Sequence, residues 1–232
     1  MKPLLVLCAL APEQWALRGG DWAGALGGPP VLVRTGLGPQ RAGRVAGALV
    51  GSSGRDYGAV LVTGFCAAAA PGLRPGDLVV ADGVRDGAGS SLAVDSPQPL
   101  VEALRVLGHT VHCGPLYSAD RVVRGAQRRE LHRAGVLAVD MESAAVLHRL
   151  PVALPVAAVR VVVDTPEREL LRPGTVPNGL RAWRTLRAAV PALIGWHRAV
   201  AADPPARPAI SELSDRLSLT HSSLPTLPQE AS

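Results

Sequence analysis

The sequence predicts an α/β fold, a single domain with a central, mostly parallel or mixed twisted sheet covered by helices on both faces. Three observations carry this. Apolar runs of strand length recur along the chain, and segments with helical periodicity lie between them. Aromatic residues make up only 3% of the 232 residues, so Ala, Val and Leu must fill the interior, as in sheets buried on both faces. A chain of this length gives one domain with a sizeable core.

The elements follow in order. Leu4–Ala9 reads as a first buried strand. The apolar run behind Lys2 also resembles a short signal peptide, but it barely reaches the length of one, and a strand explains the same residues. Val31–Thr35 is the next strand, and Gly38-Pro39 opens a helix. Proline suits a first helical turn, and Ala42, Val45, Ala46, Leu49 and Val50 then repeat on one face. Ala59–Thr63, Asp77–Ala81, Val111–Tyr117, Val136–Val139 and Val156–Val163 read as further strands, with Met141–Leu150 a helix leaving one of them directly. Asn178–Val200 carries Leu180, Trp183, Val190, Leu193 and Ile194 on one side of a helix, which Pro191 is expected to kink. Residues 1–200 form the domain. Residues 201–232 are rich in Pro, Ser and Thr and read as a largely disordered tail, with a short helix at Ile210–Leu219.

Composition narrows the function. The net charge of +5 raises nucleic acid as a partner, but the arginines are scattered and no strand carries aromatics on which bases could stack. Cys8, Cys66 and Cys113 lie far apart, with neither a disulfide framework nor a metal-ligand spacing. No metal is expected, a reducing, cytoplasmic location is expected, and no run is long enough for stable membrane insertion.

In a sheet of this kind the active site lies beyond the carboxyl ends of the strands. Three acids meet that condition: Glu13 after the first strand, Glu142 after Val136–Val139, and Asp164 at the end of Val156–Val163. Each has a plainer explanation. Glu13 suits a helix first turn, Asp140 and Glu142 suit a helix N-terminus, and Asp164 before Thr165-Pro166 suits a turn.

Four segments in register add a resemblance. Val139-Asp140-Met141-Glu142-Ser143-Ala144-Ala145 resembles the ribose-binding segment of the 5′-methylthioadenosine/S-adenosylhomocysteine nucleosidases and their relatives in the nucleoside phosphorylase superfamily. Val159-Arg160-Val161-Val162-Val163-Asp164 resembles their Val-Arg-x-x-Ser-Asp segment. The stretch from Val62-Thr63-Gly64-Phe65 to Gly76-Asp77-Leu78-Val79-Val80 is similar to their glycine loop and following strand. Leu116-Tyr117-Ser118-Ala119-Asp120 resembles the strand end before the base pocket. The segments keep the family's order and cover about residues 1–200.

The resemblance implies cleavage of the N-glycosidic bond of a purine nucleoside, with adenine as the base. It implies that Asp164 protonates N7 of the base, that Glu142 accepts from the ribose hydroxyls, and that Met141 packs on the sugar. Glu13 would orient and deprotonate the attacking water, and Val122 and Val123 would line the base pocket, Val123 through its backbone. Phe65 stands where relatives have a small polar residue near the nucleophile, Val163 where they have Ser, and Ala67-Ala68 where they have paired glycines. These departures suit a more apolar pocket.

Thr63, Gly64 and Arg160 are candidates for a supporting or phosphate-binding role. Arg160 stands four strand residues, roughly 13 Å, from Asp164 and cannot be its direct partner within the strand. No cofactor is implied, and either water or phosphate as a co-substrate serves as nucleophile. Val62 lies where some phosphorylases carry an arginine, whereas Arg34, Arg41, Arg44 and Arg85 remain candidate donors to phosphate. The hopanoid-associated branch, which removes adenine from adenosylhopane, has a similar Asp-Met-Glu-Ser/Thr-Ala motif. The alternatives are a hydrolytic methylthioadenosine/adenosylhomocysteine nucleosidase and a catalytically weak nucleoside-binding protein. Relatives form homodimers, and the same is expected here.

Overall fold

A computed structural model describes residues 1–51, 56–166 and 175–204. Strand β1 (Leu4–Cys8) runs parallel to β2 (Val31–Arg34) on one side and to β3 (Ala59–Ala68) on the other. β3 also lies parallel to β8 (Val156–Asp164), from Val60 opposite Val156 to Ala67 opposite Asp164. β4 (Leu78–Asp86) is antiparallel to β8 and to β5 (Ser91–Ala93), and parallel to β6 (Val111–Ser118). β6 runs parallel to β7 (Ala138–Asp140), which returns antiparallel to β3. The hydrogen-bonded path β3-β7-β6-β4-β8 therefore closes on itself, with β1 and β2 extending it beyond β3. Closure pairs both edges of these five strands.

Alternation along the strands builds two cores. Leu4, Val6, Leu61, Leu78, Val159 and Val161 face helices α1 (Ala11–Arg18), α3 (Pro97–Val106), α6 (Thr175–Ala188) and α7 (Val190–Ala202). Their neighbours Leu5, Leu7, Val60, Val62 and Val79 face α2 (Pro39–Gly51) and α5 (Ser143–Leu147) on the other side. This is the expected period of two in strands whose two faces are both covered. Helix α4 (Gly125–Arg133) contributes Leu131 to a third cluster with Tyr117, Val123 and Val139.

The structure differs from the sequence expectations in detail. β3 continues past Thr63 to Ala68, because Gly64 at φ +139° and a bulge between Cys66 and Ala67 let the strand bend rather than stop. The strand expected at Val136–Val139 is Ala138–Asp140. The helix expected at Met141–Leu150 is only Ser143–Leu147, because Glu142 at φ −126° precedes its first turn. The helix expected to kink at Pro191 is two helices that meet at Ala189, with the proline in the first turn of α7, where a missing N–H costs nothing. α7 runs through Ala202, so Ala201 and Ala202 of the expected tail are helical. The remainder of that tail from residue 205, including Ile210–Leu219, lies outside the described residues. Among the described residues no helix is long and apolar enough to cross a membrane.

Candidate active site

Glu13 enters α1 directly after β1 and is 1% exposed. Its Oε2 accepts hydrogen bonds from the N–H groups of Ala9 and Leu10 at 2.8 and 2.7 Å. Its Oε1 accepts from the N–H of Phe65 at 2.7 Å. The acid thus pins the end of β1 to the bend in β3. Gly64 makes this contact possible, because a Cβ there would stand 2.5 Å from Glu13 Oε1. Burial pushes the Glu13 carboxyl up from its ordinary range, while Arg160 and the amides of Phe65 and Leu10 pull it back.

Glu142 follows β7 and is 5% exposed. Its Oε1 accepts from the N–H of Gly38 at 2.9 Å, which ties the loop before α2 to the strand end. Glu142 occupies the N-cap position of α5, yet its side chain makes no capping bond. Burial raises its pKa, Arg160 opposes the rise, and Asp140 adds to it. Met141, beside it, is half-buried.

Arg160 links these acids. It is 1% exposed, with Nη2 at 2.5 Å from Asp140 Oδ2 and at 2.8 Å from Ser143 Oγ, and with Nη1 donating to the Thr63 carbonyl at 3.3 Å. Burial opposes its charge, but Asp140, Glu142 and Glu13 together hold its proton more firmly than usual. The Ser143 hydroxyl also bonds to Asp140. Arg160 is therefore the counter-charge of the Glu13–Asp140–Glu142 group. Thr63 supplies its carbonyl to that group while its buried Oγ1 has no partner among the described residues.

Asp164, at the end of β8, is 1% exposed and faces a residue that the sequence reading missed. Arg128 of α4 is 2% exposed, its Nη2 lies 2.5 Å from Asp164 Oδ2, and its Nε donates to the Val123 carbonyl at 3.0 Å. Val123 is buried and Val122 is 55% exposed, so of the two valines expected along the base pocket only Val123 is tied to the acid. The only signal for Arg128 was its spacing of three from Leu131, the other buried residue of a helix that otherwise reads as a charged surface. The buried Cys66 thiol of β3 lies within electrostatic reach of both ion pairs, Arg160–Asp140 and Arg128–Asp164.

Half-buried Phe65 packs against the α1/α6/α7 core, with only its backbone N–H on Glu13. Val163, in the place of the expected serine, packs against the same core. Of the arginines considered for phosphate, Arg85 gives its Nη1 to the Ala134 carbonyl at 2.9 Å.

Comparison with known proteins gives the family and the fold. The family model of the Phosphorylase superfamily matches residues 21–176. No curated protein matches the sequence. Among solved structures, the 5′-methylthioadenosine/S-adenosylhomocysteine nucleosidase from Neisseria meningitidis in complex with methylthio-immucillin-A superposes with a TM-score of 0.66 at 21% identity, covering 84% of this chain and 98% of that one. The corresponding nucleosidase of Campylobacter jejuni gives a TM-score of 0.70 at 15% identity, covering 85% and 100%. Futalosine hydrolase of Helicobacter pylori gives 0.65 at 14%, covering 85% and 98%. These likenesses establish the fold, and the family match over two thirds of the length establishes descent: the chain belongs to the phosphorylase superfamily.

Proposed function

We propose that this protein cleaves the N-glycosidic bond of a purine nucleoside and releases the base, which here is adenine. The observation that carries the reading is the separation of two charged groups at one end of the barrel. Glu142, Glu13 and Arg160 make up one group, and Asp164 and Arg128 make up the other. Glycosidic cleavage needs that division. Positive charge grows on the ribose as negative charge grows on the base, so an acceptor must face the sugar and an acid must face the base. Glu142 is buried beside the sugar-binding motif and serves as acceptor for the ribose hydroxyls, with Met141 against the ring. Asp164 delivers the proton to N7. Glu13 orients the nucleophile, which is water or a phosphate co-substrate.

The group beyond the ribose is apolar in this reading, and adenosylhopane fits it. Leu37, 57% exposed, adjoins the glycine that holds Glu142, and Trp15, 61% exposed, stands two residues from Glu13.

The purified protein would be incubated with 5′-methylthioadenosine, S-adenosylhomocysteine, adenosine and an adenosyl-lipid, with and without phosphate, and free base measured. Release of adenine is expected, fastest from the adenosyl-lipid. Binding without release from any of the four would leave a nucleoside-binding protein and remove the enzymatic reading. Release only with phosphate would assign phosphorolysis, and release without it hydrolysis. Asp164→Asn is expected to lower kcat by about 10²–10⁴-fold while the protein stays folded. Turnover like the wild type in that variant would remove Asp164 as the proton donor.

A further inference from the structure

We propose that the mouth of the site is a docking surface for an anionic lipid bilayer, on which the protein sits while the substrate's lipid group leaves the membrane. The choice of partner rests on the reading of an adenosyl-lipid as substrate.

Two stretches of chain hold the acids and also reach water. Residues 34–44 span the end of β2 and the start of α2, and Gly38 within them donates to Glu142. Residues 120–133 span the loop after β6 and α4, and Val123 within them accepts from Arg128, the partner of Asp164. Each stretch turns one large aliphatic side chain outward: Leu37 is 57% exposed and Val122 is 55% exposed. Exposed arginines bracket both, Arg34 and Arg41 around Leu37, and Arg121 and Arg124 around Val122. Arg41 lies over the Leu37 loop, because a Cβ at Gly36 would stand 3.2 Å from its Cδ. Arg44 on α2 is exposed as well, and so are Arg129 and Arg133, which share one face of α4.

The charge balance selects the partner. With Arg128 paired to Asp164, the two stretches hold seven exposed arginines against Asp120 and Glu130, an excess of five. The net charge of the whole chain is +5, so these stretches account for all of it. Residues 167–174 hold two glutamates and two arginines and leave the balance unchanged. Arginines that look scattered along the sequence are thus gathered on the segments that hold the acids. An aliphatic tip between arginines suits a bilayer boundary, where the tip enters the acyl region and the guanidinium groups meet phosphates. Neither stretch carries an aromatic residue on which a base could stack, which disfavours nucleic acid. A second copy of the chain on this face would set arginine against arginine about a twofold axis. Docking also keeps the lipid group out of water on its way to the site.

The test is co-sedimentation of the full chain with vesicles of phosphatidylcholine alone, or of phosphatidylcholine and phosphatidylglycerol in equal parts. Each is run at low salt and in about 1 M NaCl, where charges are screened beyond about 3 Å. Binding is expected only with phosphatidylglycerol, and high salt is expected to release it. Arg124→Glu with Arg129→Glu is expected to weaken binding about tenfold or more. Lys2→Glu with Arg105→Glu makes the same change in net charge by the starts of β1 and β6, away from the site, and is expected to keep binding. No binding, equal binding to both vesicles, or a first double variant that binds like the wild type would overturn the proposal. So would a DNA duplex bound more tightly than the vesicles at the same salt. The lipid and salt comparisons need only the wild type, so they test the proposal even where a variant does not fold. Vesicle binding without adenine release from the adenosyl-lipid would defeat the reading of the substrate, and release without vesicle binding would defeat the docking surface.

Discussion

Gly64 shows how one residue without a side chain serves the site. It has φ +139°, and the space a Cβ would take is filled by the carboxylate of Glu13 at 2.5 Å. Replacing it by alanine would strain the backbone and displace the acid that accepts from Ala9, Leu10 and Phe65. Gly64→Ala is expected to cost about 1–3 kcal/mol of stability and most of the activity. Thermal unfolding alongside the base-release assay checks it, and an unchanged midpoint with full turnover would show that the bend tolerates a side chain. The sequence made Gly64 visible through its place in a Thr-Gly motif, and Glu13 through its place after a strand. It did not show that the two touch, because they are 51 positions apart and their contact runs through one backbone amide of β3.

Among the elements, β8 ties the fold to the site. It pairs with β3 along its length and with β4 from Val159 to Val161, and Arg160 within that doubly paired stretch reaches Asp140 at the end of β7. The sequence correctly excluded Arg160 as the partner of Asp164, since four strand residues separate them. It could not name Asp140 as the partner, because β7 and β8 are brought together only by the closed path of strands through β3. A buried ion pair broken on one side leaves a bare charge, which costs more than the intact pair contributes. Arg160→Met is expected to lose about 3–5 kcal/mol in urea unfolding, and Arg160→Met with Asp140→Asn to recover part of that loss. A double variant no more stable than the single one would mean that Asp140 is not what the arginine compensates. At this scale the sequence also missed α4, whose buried face holds only Arg128 and Leu131, too little apolar residue for a periodic signal.

For the whole molecule, burying two acids beside one another has a consequence for stability against pH. Burial raises the pKa of Glu13 and of Glu142 above the ordinary 4.5, so the folded protein binds these two protons more tightly than the unfolded chain does. Their contribution to stability is therefore greatest at acid pH and is lost as pH rises from about 4.5 through the raised folded values. The melting temperature of Glu142→Gln is expected to fall less steeply than that of the wild type across that window, since glutamine stays neutral and its carbonyl still accepts from Gly38. Parallel curves for the two proteins would show that Glu142 does not drive the change.

By itself the sequence determined the strand segments, the covered sheet, the three acids at strand ends and the family motifs, because each is written in local spacing and in the order of residues along the chain. Only the tertiary structure decided who meets whom. It gave Asp164 to Arg128, Arg160 to Asp140 and Glu13 to the Phe65 amide, and it separated exposed Val122 from buried Val123. The physical reason is the same in each case. A buried charge takes its partner from whichever element closes over it, and the closing is set by a ring of five strands whose neighbours are distant in sequence.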